Sequence, residues 1–588
     1  MCGAVKVWRP EFDKEPRAKA VILVGTRGRE SMNSRSVLLK TGCIVLLTCA
    51  QLAIAQNGCE ALKGLKLDHA AIVSAKWAEA GPVQVPAGFP PKIESIPANK
   101  HCEITAVSRP TSDSEITFTL WLPAQEAWNG KYLQLGNGGW AGSIQVRGLI
   151  EPMGRGYAVS ETDDGHQVQN PLQSLNPSWA AGHPEKQIDF GYRALHETAI
   201  LSKTIVQAYY TKTASRAYFQ GCSDGGREAL MEAERYPEDF DGVIAGAPAN
   251  NWTHHFTGLI WNEIALNAKP ESKITPEQLP AIEKAALAAC DTLDGVKDGL
   301  IEDPRKCHFD PSVLLCHGAS SADCLTQPQI EALKQIYAGP TNPRTGEQIY
   351  PGFEPGTEAE PGAWLGWILP SPLLPIGSIQ AGFGNGFYSQ VVFEDPHWDW
   401  HTMDFDRDVR TADEKTAWFI NAYNPDLRSF RDHGGKLIQY HGWGDAAIAP
   451  RDSINFYEKV TAFLARYPDP RSTNPADVQG FYRLFMVPGM GHCGGGPGPT
   501  DFGNGAAEPG TPVDADHDVL MALDRWVTQG VAPDKLIGTG KIGADAKTGS
   551  AGVRLTRPLC AYPKVAHYKG QGDTNVADNF ECVQERRN

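Results

Sequence analysis

The chain has 588 residues, a formal net charge of −15 and 41% hydrophobic residues. This length exceeds what one hydrophobic core fills, so we expect at least two structural units. The acidic balance disfavours binding to nucleic acid or to anionic membrane surfaces, because both kinds of partner require clustered basic residues.

Residues 1–55 have the features of an upstream extension followed by a secretory signal. A short apolar run, 41–52, follows basic residues and precedes Ala53-Ile54-Ala55, which supplies small residues for cleavage after Ala55. The run is too short to span a bilayer, although a membrane anchor is the alternative. Met32 stands where such a signal begins. We therefore predict an exported protein, periplasmic or extracellular, without membrane contact after cleavage.

Cysteine usage agrees with export. Ten cysteines follow the signal: Cys59, Cys102, Cys222, Cys290, Cys307, Cys316, Cys324, Cys493, Cys560 and Cys582. An even number of thiols in an exported chain predicts five disulfides. No Cys-x-x-Cys pair occurs, which argues against a zinc site.

The segments after residue 130 predict an α/β fold. Strand-like runs (132–135, 157–160, 217–219 and 242–246) alternate with helix-like runs (190–211 and 227–236). This alternation is typical of a parallel sheet flanked by helices. It stops after Pro248 and resumes with strand-like runs at 436–440 and 481–487 and a helix at 519–528. The sequence therefore predicts a core formed by 56–251 and 413–588, with 252–412 inserted as a lid.

A candidate nucleophile lies between the third strand-like run and the next helix. Gly221-Cys222-Ser223-Asp224-Gly225 matches Gly-x-Ser-x-Gly, in which a sharp strand-to-helix turn exposes the serine hydroxyl. The motif alone is weak, and a glycine-rich loop with an uninvolved serine is the alternative. The strand before it and the helix after it favour the nucleophile.

The serine needs a base and an orienting carboxylate. Asp445 follows the strand-like run 436–440, and His492 follows the run 481–487. Their order matches the Ser, acid, His order of α/β-hydrolases. His441 and Asp432 are the alternative base and acid, and we interpret both as structural.

Two backbone N–H donors are also needed to stabilise the oxyanion. The first prediction is the N–H of Asp224, the residue after the nucleophile. The second donor is expected from the glycine-rich segment 136–139, from Gly138 or Gly139. The alternative role of these glycines is a tight turn with positive φ, and both roles are compatible.

An acidic loop lies in the predicted lid. Asp291, Asp294 and Asp298 fall within eight residues, with Gly295 and Gly299 at the bends. Carboxylates, together with the carbonyls of Val296 and Leu300, are ligands that Ca²⁺ prefers. The spacing is not that of an EF-hand. The residues alone leave two interpretations open, a calcium loop and a solvated acidic turn.

The chain resembles the tannase/feruloyl esterase family. The resemblance is carried by Tyr218-Phe219-Gln220-Gly221-Cys222-Ser223-Asp224-Gly225-Gly226-Arg227 and by Arg235-Tyr236-Pro237-Glu238-Asp239-Phe240-Asp241-Gly242. The family's Cys-Ser, Asp and His-Cys elements correspond to Cys222-Ser223, Asp445 and His492-Cys493. The resemblance extends over nearly all of the chain after the signal. The resemblance implies an α/β-hydrolase core with a lid, and hydrolysis of esters of aromatic acids.

The resemblance also implies covalent and metal links. It implies a Cys222–Cys493 disulfide, and the order and spacing of the other cysteines then suggest Cys59–Cys102, Cys290–Cys307, Cys316–Cys324 and Cys560–Cys582. It favours a structural Ca²⁺ held by Asp291, Asp294, Val296, Asp298 and Leu300. No organic cofactor is expected.

Aromatic residues of the lid are candidates for stacking on a flat acyl group. They are Trp261, Trp364, Trp367, Phe383, Phe387, Tyr388, Phe393, Trp398 and Trp400. Most are expected to fill the lid core instead. The first hypothesis for the substrate is a small hydroxycinnamoyl ester, for example one derived from a plant polymer. Gallate esters and terephthalate mono-esters follow. A serine peptidase and a non-catalytic binding protein are the hypotheses from other classes.

Overall fold

The computed structural model describes residues 58–87, 92–168, 171–372, 377–468, 478–505, 511–545 and 550–584. The predicted signal, within 1–55, lies outside these ranges. The strands are β1 Ala70–Ala78, β2 Gly81–Ala87, β3 Lys92–Ala98, β4 His101–Ser108, β5 Ile116–Pro123, β6 Lys131–Leu135, β7 Ala158–Thr162, β8 Arg216–Cys222, β9 Gly242–Gly246, β10 Lys436–Gly442, β11 Tyr482–Val487, β12 Lys535–Asp545, β13 Ser550–Cys560, β14 Lys564–Tyr568 and β15 Phe580–Gln584.

The α-helical segments are α1 Val146–Gly154, α2 Pro184–Ile188, α3 Ala194–Tyr210, α4 Asp224–Arg235, α5 Trp252–Asn267, α6 Leu279–Cys290, α7 Gln327–Ala338, α8 Trp364–Trp367, α9 Ile379–Gly386, α10 Arg407–Ala412, α11 Trp418–Ile420, α12 Arg428–Asp432, α13 Arg451–Arg466 and α14 Val519–Gln529.

Nine strands form the main sheet in the order β1-β4-β5-β7-β6-β8-β9-β10-β11. Strands β7, β6, β8, β9, β10 and β11 are parallel, whereas β1, β4 and β5 continue the sheet in antiparallel pairing. The carboxyl ends of the parallel strands share one edge, and in such sheets that edge carries the functional loops. The predicted α/β-hydrolase fold is confirmed.

The central strands are buried on both faces, which explains their nearly continuous apolar sequences. In β9, every residue of Gly242-Val243-Ile244-Ala245-Gly246 is buried. Val243 packs in a cluster with residues of α3, α4 and α13. Its neighbour Ile244 points to the opposite face, in a cluster with α1 and α14. The sheet therefore lies between two helical layers.

The predicted lid, residues 252–412, supplies no strand to the main sheet among its described residues. Its apolar side chains gather in two further clusters. One contains Phe256 and Phe387, and the other contains Ile282 and Leu333. The first cluster also includes Trp140 and Phe190, which precede the lid in sequence. The division of the chain at 252 and 412 stays a prediction.

All five suggested disulfides are present. The pairs are Cys59–Cys102, Cys222–Cys493, Cys290–Cys307, Cys316–Cys324 and Cys560–Cys582. Two of them close short loops inside the predicted lid, whereas Cys222–Cys493 joins segments 271 residues apart. Within the described ranges, no helix combines the length and the apolar character that crossing a bilayer requires.

Candidate active site

Ser223 occupies a strained turn between β8 and α4. Its backbone has φ 66° and ψ −121°, a conformation that non-glycine residues rarely adopt. The turn requires small neighbours, because a Cβ added at Gly221 would lie 2.4 Å from the carbonyl oxygen of Gly225. A Cβ at Gly226 would lie 2.2 Å from the oxygen of Gly246. The chain therefore forms a nucleophile elbow at the carboxyl edge of the sheet.

Ser223, His492 and Asp445 form one hydrogen-bonded chain. Ser223 Oγ donates to His492 Nε2 at 2.9 Å, and His492 Nδ1 donates to Asp445 Oδ2 at 2.9 Å. Asp445 follows β10, and its Oδ1 accepts the N–H groups of Ala447 and Ile448. Burial alone would raise the pKa of Asp445, but the opposing charge of His492 and the bonds from His441 and His492 hold it well below its usual range. Asp445 is therefore ionised and can stabilise an imidazolium.

The two alternative residues take other positions, and the histidine bonded to Ser223 is His492. His441 is fully buried and donates from Nε2 to Asp445 Oδ2 at 3.2 Å, while its Nδ1 accepts from Ser453 Oγ at 2.7 Å. It therefore supports the carboxylate, and the ring that meets Ser223 is that of His492. Asp432 ends α12 and pairs with Arg431.

The Cys222–Cys493 disulfide joins the residues beside the nucleophile and the base. Its Cα atoms are 5.9 Å apart. Cys222 precedes Ser223, and Cys493 follows His492 with a positive φ of 63°. The bridge therefore fixes the start of the loop that carries His492 against the nucleophile elbow.

The residues predicted to supply the oxyanion donors line the same pocket as Ser223. Asp224 is the first residue of α4, and the first N–H groups of a helix have no intrahelical acceptor. Gly138 and Gly139 line one pocket together with Ser223 and Asp224. At Gly139, φ is 63°, and an added Cβ would lie 2.9 Å from the oxygen of Ser174.

A cavity of about 330 Å³ opens onto Ser223 and His492. Its walls are mostly apolar, and Trp367 approaches His492 edge-on with a centroid distance of 5.0 Å. Of the nine lid aromatics singled out from the sequence, only Trp367 and Phe383 line this cavity among the described residues. The sequence missed Trp252, His255, Phe256 and Leu259, although their spacing along α5 marks one helical face.

A buried acidic cluster lies next to the glycine-rich segment 136–139. Asp164, Asp224 and Glu228 bring carboxylate oxygens within 4.8 Å of one another, and all three residues are buried. Arg227 Nε donates to Asp224 Oδ1 at 2.6 Å. Glu228 Oε2 accepts the N–H of Asn137, one residue before Gly138. Burial raises the pKa of Glu228, and the carboxylates of Asp164 and Asp224 raise it further. Burial also raises the pKa of Asp164, against the opposing effect of its hydrogen bond with Glu228. The cluster therefore holds protons at neutral pH.

This proton retention predicts a pH-dependent stability. The pKa of Asp164 is raised to about 8 in the folded chain, whereas an unfolded aspartate ionises near pH 4, so its contribution to stability is lost as pH rises from about 4 to about 8. Asp164→Asn is expected to flatten this decline by up to about 1.4 kcal/mol per pH unit, because the amide carries no proton to lose. Asparagine also tolerates the positive φ of 57° at this position.

The measurement is urea unfolding of wild type and Asp164→Asn from pH 5 to 8. Asp323→Asn, at an exposed position, is the matched control and should follow wild type. Parallel stability curves for Asp164→Asn and wild type would contradict a retained proton.

The carboxylate oxygens of the acidic lid loop, which are candidate metal ligands, already accept hydrogen bonds within the protein. Asp291 Oδ1 accepts the N–H groups of Asp298 and Gly299, and Asp294 Oδ1 accepts that of Val296. Asp298 Oδ2 accepts from the buried guanidinium of Arg557 at 2.6 Å. Burial raises the pKa of Asp291 and Asp294. Carboxylate and carbonyl oxygens are ligands that suit Ca²⁺. Among the described residues, however, these three carboxylates do not form a group whose ligand atoms all lie within 4.8 Å of one another.

Comparisons with known proteins agree with the geometry. The profile of the family described as "Tannase and feruloyl esterase" matches residues 102–583. An uncharacterized esterase of Xanthomonas campestris pv. campestris is 42% identical over 569 residues, covering 95% of this chain and 96% of that protein. A probable feruloyl esterase B-2 of Aspergillus terreus is 32% identical over 491 residues, covering 82% of this chain and 86% of that protein.

A solved structure extends the agreement to the fold. The crystal structure of feruloyl esterase B from Aspergillus oryzae matches with a TM-score of 0.76 and 29% identity. The match covers 89% of this chain and 99% of that chain. The profile match includes the segments that carry Ser223, Asp445 and His492. With these matches, the chain belongs to the tannase and feruloyl esterase family and is a carboxylic ester hydrolase.

Proposed function

We propose that the protein is an exported serine esterase that hydrolyses esters of hydroxycinnamic acids through an acyl-enzyme. The observation that carries this proposal is the continuous chain from Ser223 Oγ through His492 to Asp445, opening onto an apolar, aromatic-lined cavity. A flat acyl group gains from burial against such rings. One relative is named probable feruloyl esterase B-2, which supports the same substrate class.

The hydrogen bonds assign a role to each side chain. Ser223 Oγ attacks the ester carbonyl carbon while its proton moves to His492 Nε2. Asp445 stabilises the imidazolium through Nδ1–H. The developing oxyanion accepts hydrogen bonds from the N–H of Asp224 and from Gly138 or Gly139. His492 then protonates the leaving alcohol, and a water molecule activated by the same ring releases the acid.

The test compares three esters at equal concentration: methyl ferulate, methyl gallate and mono-methyl terephthalate. We expect the highest kcat/KM for methyl ferulate, by about tenfold or more, because a difference of one methylene-sized contact in an apolar pocket is worth about 1–3 kcal/mol. A gallate ester hydrolysed faster would favour a tannase. If the protein hydrolyses none of the three esters, the proposal is refuted.

We also propose a structural Ca²⁺ in the lid loop. Asp291, Asp294 and Asp298 would supply carboxylates, and Val296 and Leu300 would supply carbonyls. An ion there would offset the burial of these carboxylates and rigidify the loop closed by Cys290–Cys307. No catalytic step depends on it.

Removal of calcium is therefore expected to lower stability without changing the chemistry. A site with free calcium at 100 times Kd adds about 2.7 kcal/mol to the free energy of unfolding. Thermal unfolding with 1 mM CaCl2 and with excess EDTA measures this difference, and Asp294→Asn should reduce it. Identical melting curves in CaCl2 and EDTA would contradict the site.

Export is supported by the five disulfides, since such bonds persist in oxidising compartments. The predicted cleavage after Ala55 remains part of this proposal.

A further inference from the structure

One face of α5 forms a wall of the catalytic cavity. Trp252, His255, Phe256 and Leu259 all line it, at the i, i+3, i+4 and i+7 spacing of a single helical face. Three of these residues are apolar. His255 is therefore the polar exception on a surface otherwise suited to an aromatic ring.

The imidazole of His255 is buried and has unused hydrogen-bonding capacity. The residue is 5% exposed, and neither ring nitrogen bonds to another described residue; Nδ1 is fully enclosed. Its ring contacts are aromatic, with Phe256 at 5.1 Å and Tyr350 at 5.5 Å between centroids. Burial lowers the pKa of His255 to about 3, an effect that Asp445 opposes and that His492 and His441 reinforce. The ring is thus neutral, with one donor and one acceptor.

Two other polar side chains of the cavity, those of Gln380 and Asp224, already have partners within the protein. The Gln380 amide donates from Nε2 to the oxygen of Ala446, and its Oε1 accepts from Asn262. Asp224 is paired with Arg227. No lysine or arginine is among the described residues that line the cavity. An acyl group with an ionised substituent would therefore be desolvated there without a counter-ion, which is costly.

We propose that His255 is a specificity residue that hydrogen-bonds a neutral phenolic hydroxyl on the aromatic acyl group. A ring that lacks the hydroxyl leaves the buried imidazole unpaired, and an unpaired buried polar group carries a free-energy penalty. A ring that bears a carboxylate meets no cation. The cavity therefore selects uncharged, hydroxylated aromatic acids. This inference rests on the proposed esterase function and names the substrate feature read by that site.

The test is the preference ratio, kcat/KM for methyl 4-hydroxycinnamate divided by kcat/KM for methyl cinnamate. These probes differ only in the phenolic hydroxyl. For wild type we expect a ratio of about 10 or more. His255→Leu should bring it close to 1, because leucine keeps bulk but removes both nitrogens. His255→Gln, which keeps a donor and an acceptor, should retain an intermediate ratio.

The outcomes separate this inference from the proposed function. Hydrolysis of both esters with a ratio that is unchanged in His255→Leu would overturn the role of His255 and leave the esterase intact. Hydrolysis of neither ester by wild type would refute the proposed function itself. If His255→Leu does not fold, an unchanged ratio in His255→Ala or a ratio near 1 in wild type overturns the inference. Faster hydrolysis of mono-methyl terephthalate than of the hydroxycinnamate by wild type would also overturn it.

Discussion

Ser223→Ala is expected to abolish ester hydrolysis, with a loss in kcat of about 10⁴-fold to 10⁶-fold. The hydroxyl is the attacking atom, and the neighbouring donors cannot replace it. This hydroxyl hydrogen-bonds His492 Nε2, so its removal should leave the elbow and its glycine contacts in place. The measurement is kcat on methyl ferulate. Thermal unfolding is measured alongside it, and the melting temperature should change little.

Ser453→Ala is the matched control for that change. Ser453 is buried and bonds His441 Nδ1 and Gln439. It is three hydrogen bonds away from His492, through His441 and Asp445, so the same substitution there removes only indirect support. It should cost about 1–3 kcal/mol of stability, since a buried partner is left unpaired. Its kcat should decrease far less than that of Ser223→Ala.

Residual activity of Ser223→Ala above about 1% of wild type would exclude Ser223 as the nucleophile.

The sequence was informative wherever function requires a fixed local geometry. Ser223, Asp445 and His492 follow strands of a parallel sheet, and the carboxyl ends of such strands meet at one edge. Their proximity could therefore be expected from order and strand context alone. The elbow glycines carried similar information, because a backbone approach of about 2–3 Å excludes a side chain.

Other features depend on contacts that a linear pattern does not encode. Strands β1, β4 and β5 were not anticipated, since antiparallel strands need no intervening helix and the βα alternation is absent there. The acidic cluster joins Asp164 from the loop after β7 to Glu228 of α4, 64 positions later in sequence. In the lid, the aromatic composition indicated stacking, but only the packing of α5, α8 and α9 decides which rings reach the cavity.

Removal of the Cys222–Cys493 bridge should disable the enzyme by releasing the base. In Cys222→Ala/Cys493→Ala, we expect a loss in kcat/KM of about 100-fold, since a misplacement of about 1 Å in a catalytic group has this effect. The free energy of unfolding should fall by about 2–5 kcal/mol. Assays at a temperature well below the melting point of the variant separate the two effects.

The reason lies in the loop that carries His492. Residues 491–496, Gly-His-Cys-Gly-Gly-Gly, contain four glycines, so the backbone alone fixes the ring weakly. Besides the hydrogen bonds of the His492 ring, two hydrogen bonds hold the backbone there: Gly491 N–H donates to the oxygen of Gly495, and Asn504 Nδ2 donates to that of Cys493. The disulfide therefore sets the distance from His492 Nε2 to Ser223 Oγ. Cys316→Ala/Cys324→Ala, which opens a bridge spanning eight residues in the lid, should lose stability but keep kcat. Equal kcat in the two double variants and wild type would show that the strands and glycine loop position His492 without the bridge.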